Sequence, residues 1–239
     1  MNARPRYWAV VPAAGKGARM RADLPKQYLP LGGHTVLECT LERLLANPLI
    51  AGIVVAVSPE DALWAEIARR FDERVISTPG GAERVHSVLA GLEALAAHAA
   101  ADDWVLVHDA ARPCLRADDL QKLIDELSPS DCGGILAMPV RDTLKRCTAD
   151  GAIAATVDRA SLWHALTPQM FRLGMLMQAL RGSLASGRLV TDEAQAIELL
   201  GGAPRVVEGH ADNIKITRPD DLPMAALILA AQERSVSCA

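Results

Sequence analysis

The stretch Trp8–Gln27, WAVVPAAGKGARMRADLPKQ, decides how the rest of the chain is read. Trp8 to Val11 is a short apolar run bounded by Pro12 and Gly15, the pattern of a buried strand. AAGKGARM follows, with two small residues, two glycines and two cations. Glycine and alanine let a backbone approach a ligand closely, and a loop with free N–H groups suits phosphate. Lys16, Arg19, Arg21 and Lys26 add positive charge. A strand that runs into a basic glycine loop is what holding a polyphosphate requires.

Two common phosphate loops are excluded by spacing. The dinucleotide fingerprint G-x-G-x-x-G is met by Gly15 and Gly17 but fails at Met20. Nothing matches G-x-x-x-x-G-K-[ST]. The stretch instead resembles the signature of sugar-nucleotide pyrophosphorylases, A-A-G-x-G-x-R-M followed by P-K, here Ala13 to Met20 and Pro25-Lys26.

Composition narrows the class. The 239 residues are enough for one large domain with a real core, half are hydrophobic, and 23% are charged. Aromatics make up only 3%, so alanine, leucine and valine must fill the interior. A net charge of −4 gives no global basic field for nucleic acid, and any anion site must be local. The apolar run after the basic N-terminus is too short for a signal peptide and is broken by Pro12. No stretch reaches the ~18 consecutive apolar residues of a membrane helix. The five cysteines show no C-x-x-C spacing, which predicts reduced thiols and a cytoplasmic protein.

Strands and helices alternate along the first half. The sequence predicts strands at Ile53–Val57, Val75–Ser77, Trp104–Val107 and Ile135–Met138. It predicts helices at Val36–Leu45, from Ser58-Pro59 onward, at Glu83–Ala97 and at Asp118–Leu127. Thr35 and Glu38 read as a capping box, and Ser58 as an N-cap with Pro59 in the first turn. This order predicts a three-layer α/β/α sandwich with a mainly parallel, Rossmann-like sheet. Ligands bind such sheets at the carboxyl ends of the strands, so the loops after Val11, Ser77 and Val107 should share a site.

The pattern breaks at Val140. Val140–Arg146 and Ile153–Val157 read as two strands around a turn at Asp150-Gly151. A lone hairpin is marginal in water, so this arm, about residues 140–160, is expected to pack on a second subunit. Helices resume at Arg172–Ser186 and Asp192–Leu200, a strand at Val206–Glu208 and a last helix at Pro219–Gln232. No linker or repeat appears, so residues 1–239 read as one domain with an arm.

Three further segments carry chemistry. Gly80-Gly81 opens a helix, where backbone donors and the Ser87 hydroxyl can read a base edge, although taken alone a plain glycine turn with Arg84 in solvent fits the segment better. His108-Asp109-Ala110-Ala111-Arg112 leaves a strand end. Asp109 suits either Mg2+ or a substrate hydroxyl, Arg112 suits a phosphate, and a structural Asp–Arg pair fits equally. His108 reads as a packed, satisfied histidine. Thr143, Arg159, Thr167, Thr191 and Lys215 are scattered hydroxyls and cations of the kind a phosphorylated polyol needs, and Asp212 adds an acid near Lys215 as a second candidate metal ligand.

Taken together, VVPAAGKGARM, LPKQYL, GGAERVHSVLAGL, WVLVHDAARPC, GGILAMPVRDTLKR, TVDRASLWHALTPQMF, TDEA and ADNIKITRPDDL closely resemble the methylerythritol phosphate cytidylyltransferases, over about Val10 to Leu222. The resemblance implies that CTP and a polyol phosphate react with Mg2+ present, and that the protein is a homodimer joined through the arm. It implies catalytic roles for Arg19 and Lys26 and a nucleotide site at Ala13, Ala14, Gly15, Gly17, Gly81, Arg84 and Ser87. It further implies polyol-phosphate contacts from Asp109, Arg112, Thr143, Arg159, Thr167, Thr191 and Lys215, with Thr143 and Arg159 serving the neighbour's site. Ala82 departs from family members that carry Asp there, which removes one side chain near the base. Two other readings fit the same fold: a cytidylyltransferase for ribitol 5-phosphate, and a non-catalytic nucleotide-binding regulator. The presence of both Arg19 and Lys26 speaks against the regulator.

Overall fold

The computed structural model describes residues 5–15 and 24–237, so Gly17 and Arg19 lie outside the described residues. The first strand, β1 (Tyr7–Pro12), sits in the middle of the fold because both its faces are apolar. Ala9 and Val11 face one core and Val10 the other, all three with no exposed surface, the two-residue period of a strand covered on both sides. A single 3-10 turn at Lys26–Tyr28 and a two-residue ladder of β2 (Pro30–Leu31) and β3 (His34–Thr35) lead into α1 (Val36–Leu45). The capping box forms as the sequence predicts. Glu38 N–H donates to Thr35 Oγ1 at 3.2 Å, and Thr35 N–H donates to Glu38 Oε2 at 2.6 Å.

The chain continues through β4 (Ile50–Val57), α2 (Trp64–Ala68), β5 (Val75–Pro79), α3 (Arg84–Leu95), β6 (Trp104–Val107) and α4 (Ala117–Leu127). It ends with β7 (Gly134–Pro139), the hairpin β8 (Leu144–Cys147) and β9 (Ile153–Val157), β10 (Trp163–Arg172), α5 (Leu173–Ala185), α6 (Glu193–Leu199), β11 (Arg205–Glu208) and α7 (Asp221–Ser237). Seven strands form the main sheet in the order β11-β7-β10-β6-β1-β4-β5. All neighbours are parallel except β10, which runs antiparallel to β6 and β7. Leu37, Leu41 and Leu44 of α1 and Leu120, Leu123 and Leu127 of α4 cover one face, while Val88, Leu92 and Leu95 of α3 and Leu176 and Leu180 of α5 cover the other. This is the mixed, mostly parallel α/β sandwich expected. Each fully buried leucine contributes about 1.5–3 kcal/mol.

One close approach positions the site. A Cβ on Gly91 would fall 2.5 Å from Val10 Cγ1, so only glycine lets α3 lie this close to β1. The turn that opens α3 is thereby brought beside the loop that leaves β1.

Three sequence expectations change. The second helix does not start at Ser58. Asp61 Oδ1 accepts the N–H groups of Leu63 and Trp64 at 3.0 and 3.1 Å, and the helix begins only at Trp64. Asp61 also accepts from Tyr28 Oη at 2.7 Å, a contact invisible in the sequence that fixes the turn. In the arm, Val140–Thr143 is not strand, and the ladder begins at Leu144, paired with Val157. Finally, β10 is absent from the sequence reading because Thr167-Pro168-Gln169 interrupts it. A register shift between Ala165 and Gln169 carries the proline past the ladder with β7.

Candidate active site

The loops after β1, β5 and β6 meet as predicted at the carboxyl end of the sheet. They form a cleft of about 370 Å³ lined by Pro12 to Gly15, Gly81 to Arg84, Ser87, Asp109 to Ala111, Lys26, Gln27, Lys215 and Thr217. Gln27, which the sequence reading passed over, shapes the first wall. It is buried, and its Nε2 donates to the carbonyls of Ala13 at 2.6 Å and Gly15 at 3.2 Å. Those bonds tie the start of the glycine loop to the turn at Lys26–Tyr28. Lys26 Nζ reaches across the cleft and donates to the Ile216 carbonyl at 3.1 Å.

The second wall is the glycine turn. Gly81 N–H donates to Ser87 Oγ at 3.1 Å, so the serine braces the turn from the first turn of α3. A Cβ on Gly81 would lie 2.4 Å from His86 Cβ, and one on Gly80 2.6 Å from Ala14 Cβ. The two glycines are thus fixed by packing.

A buried charge cluster forms the floor. Asp109 is only 7% exposed and faces Lys215 Nζ at 2.8 Å, Arg84 Nε at 3.1 Å and Arg112 Nε at 3.6 Å. Burial opposes its charge, but the Arg84, Lys215 and Arg112 cations outweigh that and hold the carboxyl well below the usual range. Arg112 in turn donates through Nη1 to the Asn213 carbonyl at 2.6 Å. Arg84 is gripped from its other side by Glu193, Nη1 to Oε1 at 2.6 Å and Nη2 to Oε2 at 3.0 Å. Burial opposes the charge of Arg84 too, yet Glu193 and Asp109 hold its guanidinium above the ordinary range.

A smaller cavity of about 230 Å³ adjoins this floor and is lined by Arg84, Asp109, Arg112, Thr167, Gln169, Thr191 and Lys215 with their neighbours. Arg84, Asp109 and Lys215 line both spaces and separate them. Five residues assigned to polyol phosphate from the resemblance, Asp109, Arg112, Thr167, Thr191 and Lys215, therefore come together. Thr143 and Arg159 do not join them. Both are exposed on the arm and line neither cavity.

Of the two candidate metal ligands, only Asp109 lines the cleft. Asp212 lines neither cavity and pairs with Arg116 Nη2 at 2.7 Å, while also accepting from Gln232 Nε2 at 3.1 Å. Asp109, already neutralised by the surrounding cations, does not fit as the ligand of a resident divalent ion. Among the described residues, the Asp/His group close enough to hold an ion is Asp118, Asp119 and His210, where Asp119 bonds internally to His210.

His108 behaves as the sequence predicts. It has no exposed surface and bonds Arg112 O at 3.0 Å and Thr167 Oγ1 at 2.9 Å. Burial drives its pKa down to about 4. The folded imidazole is therefore neutral where an unfolded one, near ~6.5, begins to charge, and this residue's contribution to stability falls as pH drops from ~6.5 toward its folded value. An NMR titration should find the His108 ring uncharged until about pH 4. A midpoint at the ordinary histidine value would contradict that burial.

The start of a glycine loop, a glycine turn braced by Ser87 and a charge-lined second cavity at the carboxyl edge of this sheet are the features a nucleotidyltransferase requires. The family model described as 2-C-methyl-D-erythritol 4-phosphate cytidylyltransferase matches residues 7–231, and the chain belongs to that family. It is 58% identical over 218 residues to the enzyme of that name from Ectopseudomonas mendocina, covering 91% of this chain and 93% of the relative. The one from Pseudomonas entomophila is 57% identical, with 91% of this chain and 93% of the relative covered. Among solved structures, a 4-diphosphocytidyl-2C-methyl-D-erythritol synthase superposes with a TM-score of 0.84 at 40% identity, covering 95% of this chain and all of the other.

Proposed function

We propose that the chain transfers the cytidylyl group of CTP to 2-C-methyl-D-erythritol 4-phosphate, within non-mevalonate isoprenoid precursor synthesis. The products are 4-diphosphocytidyl-2-C-methyl-D-erythritol and pyrophosphate. The observation that carries this reading is the pair of adjoining cavities divided by Arg84, Asp109 and Lys215, in a chain of this family. CTP takes the larger cleft and the polyol phosphate the smaller one. A phosphate oxygen of the acceptor attacks the α-phosphorus of CTP, a P–O bond forms there, and the bond to the β-phosphate breaks.

The attacking phosphate is already an anion and needs no strong base, so catalysis rests on alignment and neutralisation of charge. Lys26 and Arg19 are the cations for the triphosphate and the leaving pyrophosphate. Ala13, Ala14, Gly15, Gly17, Gly81, Arg84 and Ser87 form the nucleotide site. Asp109, Arg112, Thr167, Thr191 and Lys215, with Thr143 and Arg159 from the neighbour's arm, receive the polyol phosphate. Mg2+ would come with CTP and supply charge neutralisation at its phosphates, since the cleft carboxylate is already paired with Arg84, Arg112 and Lys215.

The working form is a homodimer joined by the arm, and its compartment is the cytoplasm. The arm supports the dimer: Ile153 is 66% exposed on a two-stranded hairpin that pairs with no other strand, and Trp163, 41% exposed at the start of β10, adds apolar surface where the chain returns from the arm to the main sheet. Among the described residues no helix is long and apolar enough to cross a membrane. The test is pyrophosphate release with Mg2+ and 2-C-methyl-D-erythritol 4-phosphate, with CTP or ATP as donor. CTP should be strongly preferred, since the glycine turn at Gly81 is expected to read cytosine's own edge. Equal turnover with ATP would remove the base-pocket assignment.

A further inference from the structure

Glu193 lies outside every role given so far. The sequence offers it as a carboxylate in the first turn of a helix, favourable to the dipole and nothing more. The structure gives it a different environment. Its side chain is 1% exposed, and both carboxylate oxygens accept from the guanidinium of Arg84, at 2.6 and 3.0 Å. Arg84 belongs to α3, on the nucleotide side, and Glu193 to α6, whose entry carries Thr191. The fork spans 109 residues of sequence and fixes the guanidinium plane, because two parallel bonds leave it no rotation.

The consequence passes along a chain of charges. With its two terminal nitrogens held by Glu193, Arg84 presents only Nε to Asp109, at 3.1 Å. Asp109 then keeps its second oxygen for Lys215, at 2.8 Å. Were the fork lost, the guanidinium would be free to turn both remaining nitrogens onto Asp109. The carboxylate would be drawn toward α3, and Lys215 would lose its anchor. We infer that Glu193 is a positioning residue, which holds Arg84 so that Asp109 and Lys215 are aligned for the polyol phosphate. The inference rests on the functional reading above and assigns Glu193 no contact with substrate.

Arg84 also lines the nucleotide cleft, so the KM for CTP should change, but by much less than the constant for the polyol phosphate. The Gly81 turn is braced by Ser87 Oγ and not by Arg84, so the base pocket survives loss of the fork. A purely structural role predicts something else: lower thermal stability with both Michaelis constants unchanged in the surviving fold.

Glu193→Gln keeps the shape and removes the charge, and Glu193→Asp keeps the charge but cannot reach with both oxygens. Steady-state kinetics of the full-length protein, varying CTP and 2-C-methyl-D-erythritol 4-phosphate separately, decides the matter, with circular dichroism and Tm measured alongside. Glu193→Gln should lower kcat/KM for the polyol phosphate by on the order of tenfold to a hundredfold, the effect of a displaced catalytic group. The KM for CTP should stay within about threefold of wild type, and Glu193→Asp should fall between the two. Equal changes in both constants, or no change in either, would overturn the inference while leaving the functional reading intact. Failure of both variants to fold would overturn it as well, by assigning Glu193 to stability alone. A wild-type protein with no turnover would instead overturn the functional reading, and the inference with it.

Discussion

Lys26→Ala is expected to lower kcat by roughly 10²–10³ while leaving the fold intact, the effect of removing one preorganised donor at developing charge. Charge moves onto the α-phosphate oxygens and the departing pyrophosphate as the bond exchanges. A cation fixed there binds the transition state better than the ground state, and that difference raises kcat. Lys26 meets the requirement for fixation. It starts a 3-10 turn whose next residue, Gln27, is bonded to the glycine-loop carbonyls, and its ammonium is tethered to Ile216 O. The tether is itself anchored, because Ile216 N–H donates to Ala111 O at 2.8 Å. Lys26 contributes little to the core, so circular dichroism should be unchanged. Lys26→Arg should rescue poorly, since a planar fork does not replace a compact point charge. A kcat for Lys26→Ala within about threefold of wild type, far short of that range, would take Lys26 out of the mechanism.

Arg159→Ala is expected to cost a comparable share of activity although Arg159 lines neither cavity of its own chain. The reason is the dimer proposed above: an exposed arm places its cation over the neighbour's polyol-phosphate site. Charge-assisted bonds to phosphate are roughly twice as strong as neutral ones, so the loss should appear in kcat/KM for the polyol phosphate. Mixing gives the decisive form. In a heterodimer of one Lys26→Ala chain and one Arg159→Ala chain, one of two symmetry-related sites carries both changes and the other neither. About half of wild-type activity should return in such a dimer. Verified heterodimers that stay inactive would show that each site is built from one chain.

The framework of the fold was legible because buried parallel strands are written as apolar runs. Ala9, Val10 and Val11, or Val105 to Val107, could hardly lie anywhere else than between two helical layers. The loops of the site were legible for a related reason: glycine, arginine and aspartate gathered at strand ends weaken a core but suit an anionic ligand. What stayed hidden depends on partners far away in sequence. β10 buries Gln169, which reads as a break until its partners are seen: Nε2 donates to Asp192 Oδ2 at 3.0 Å and Oε1 accepts from Ala194 N–H at 2.9 Å. Asp212 looked like a metal ligand because Lys215 is close in sequence, while its partner Arg116 lies 96 residues away. Glu193 looked like a helix-dipole residue for the same reason.

The central claim is that this cleft joins CTP to a methylerythritol phosphate and not merely that it binds a nucleotide. Phosphorus NMR tests it most directly. Purified protein is incubated with CTP and Mg2+, and with 2-C-methyl-D-erythritol 4-phosphate or ribitol 5-phosphate as acceptor. The account predicts that pyrophosphate and a new diphosphate diester appear together with the methylerythritol phosphate, and much more slowly with ribitol 5-phosphate. No diester with the methylerythritol phosphate, or equal rates with both acceptors, would contradict it.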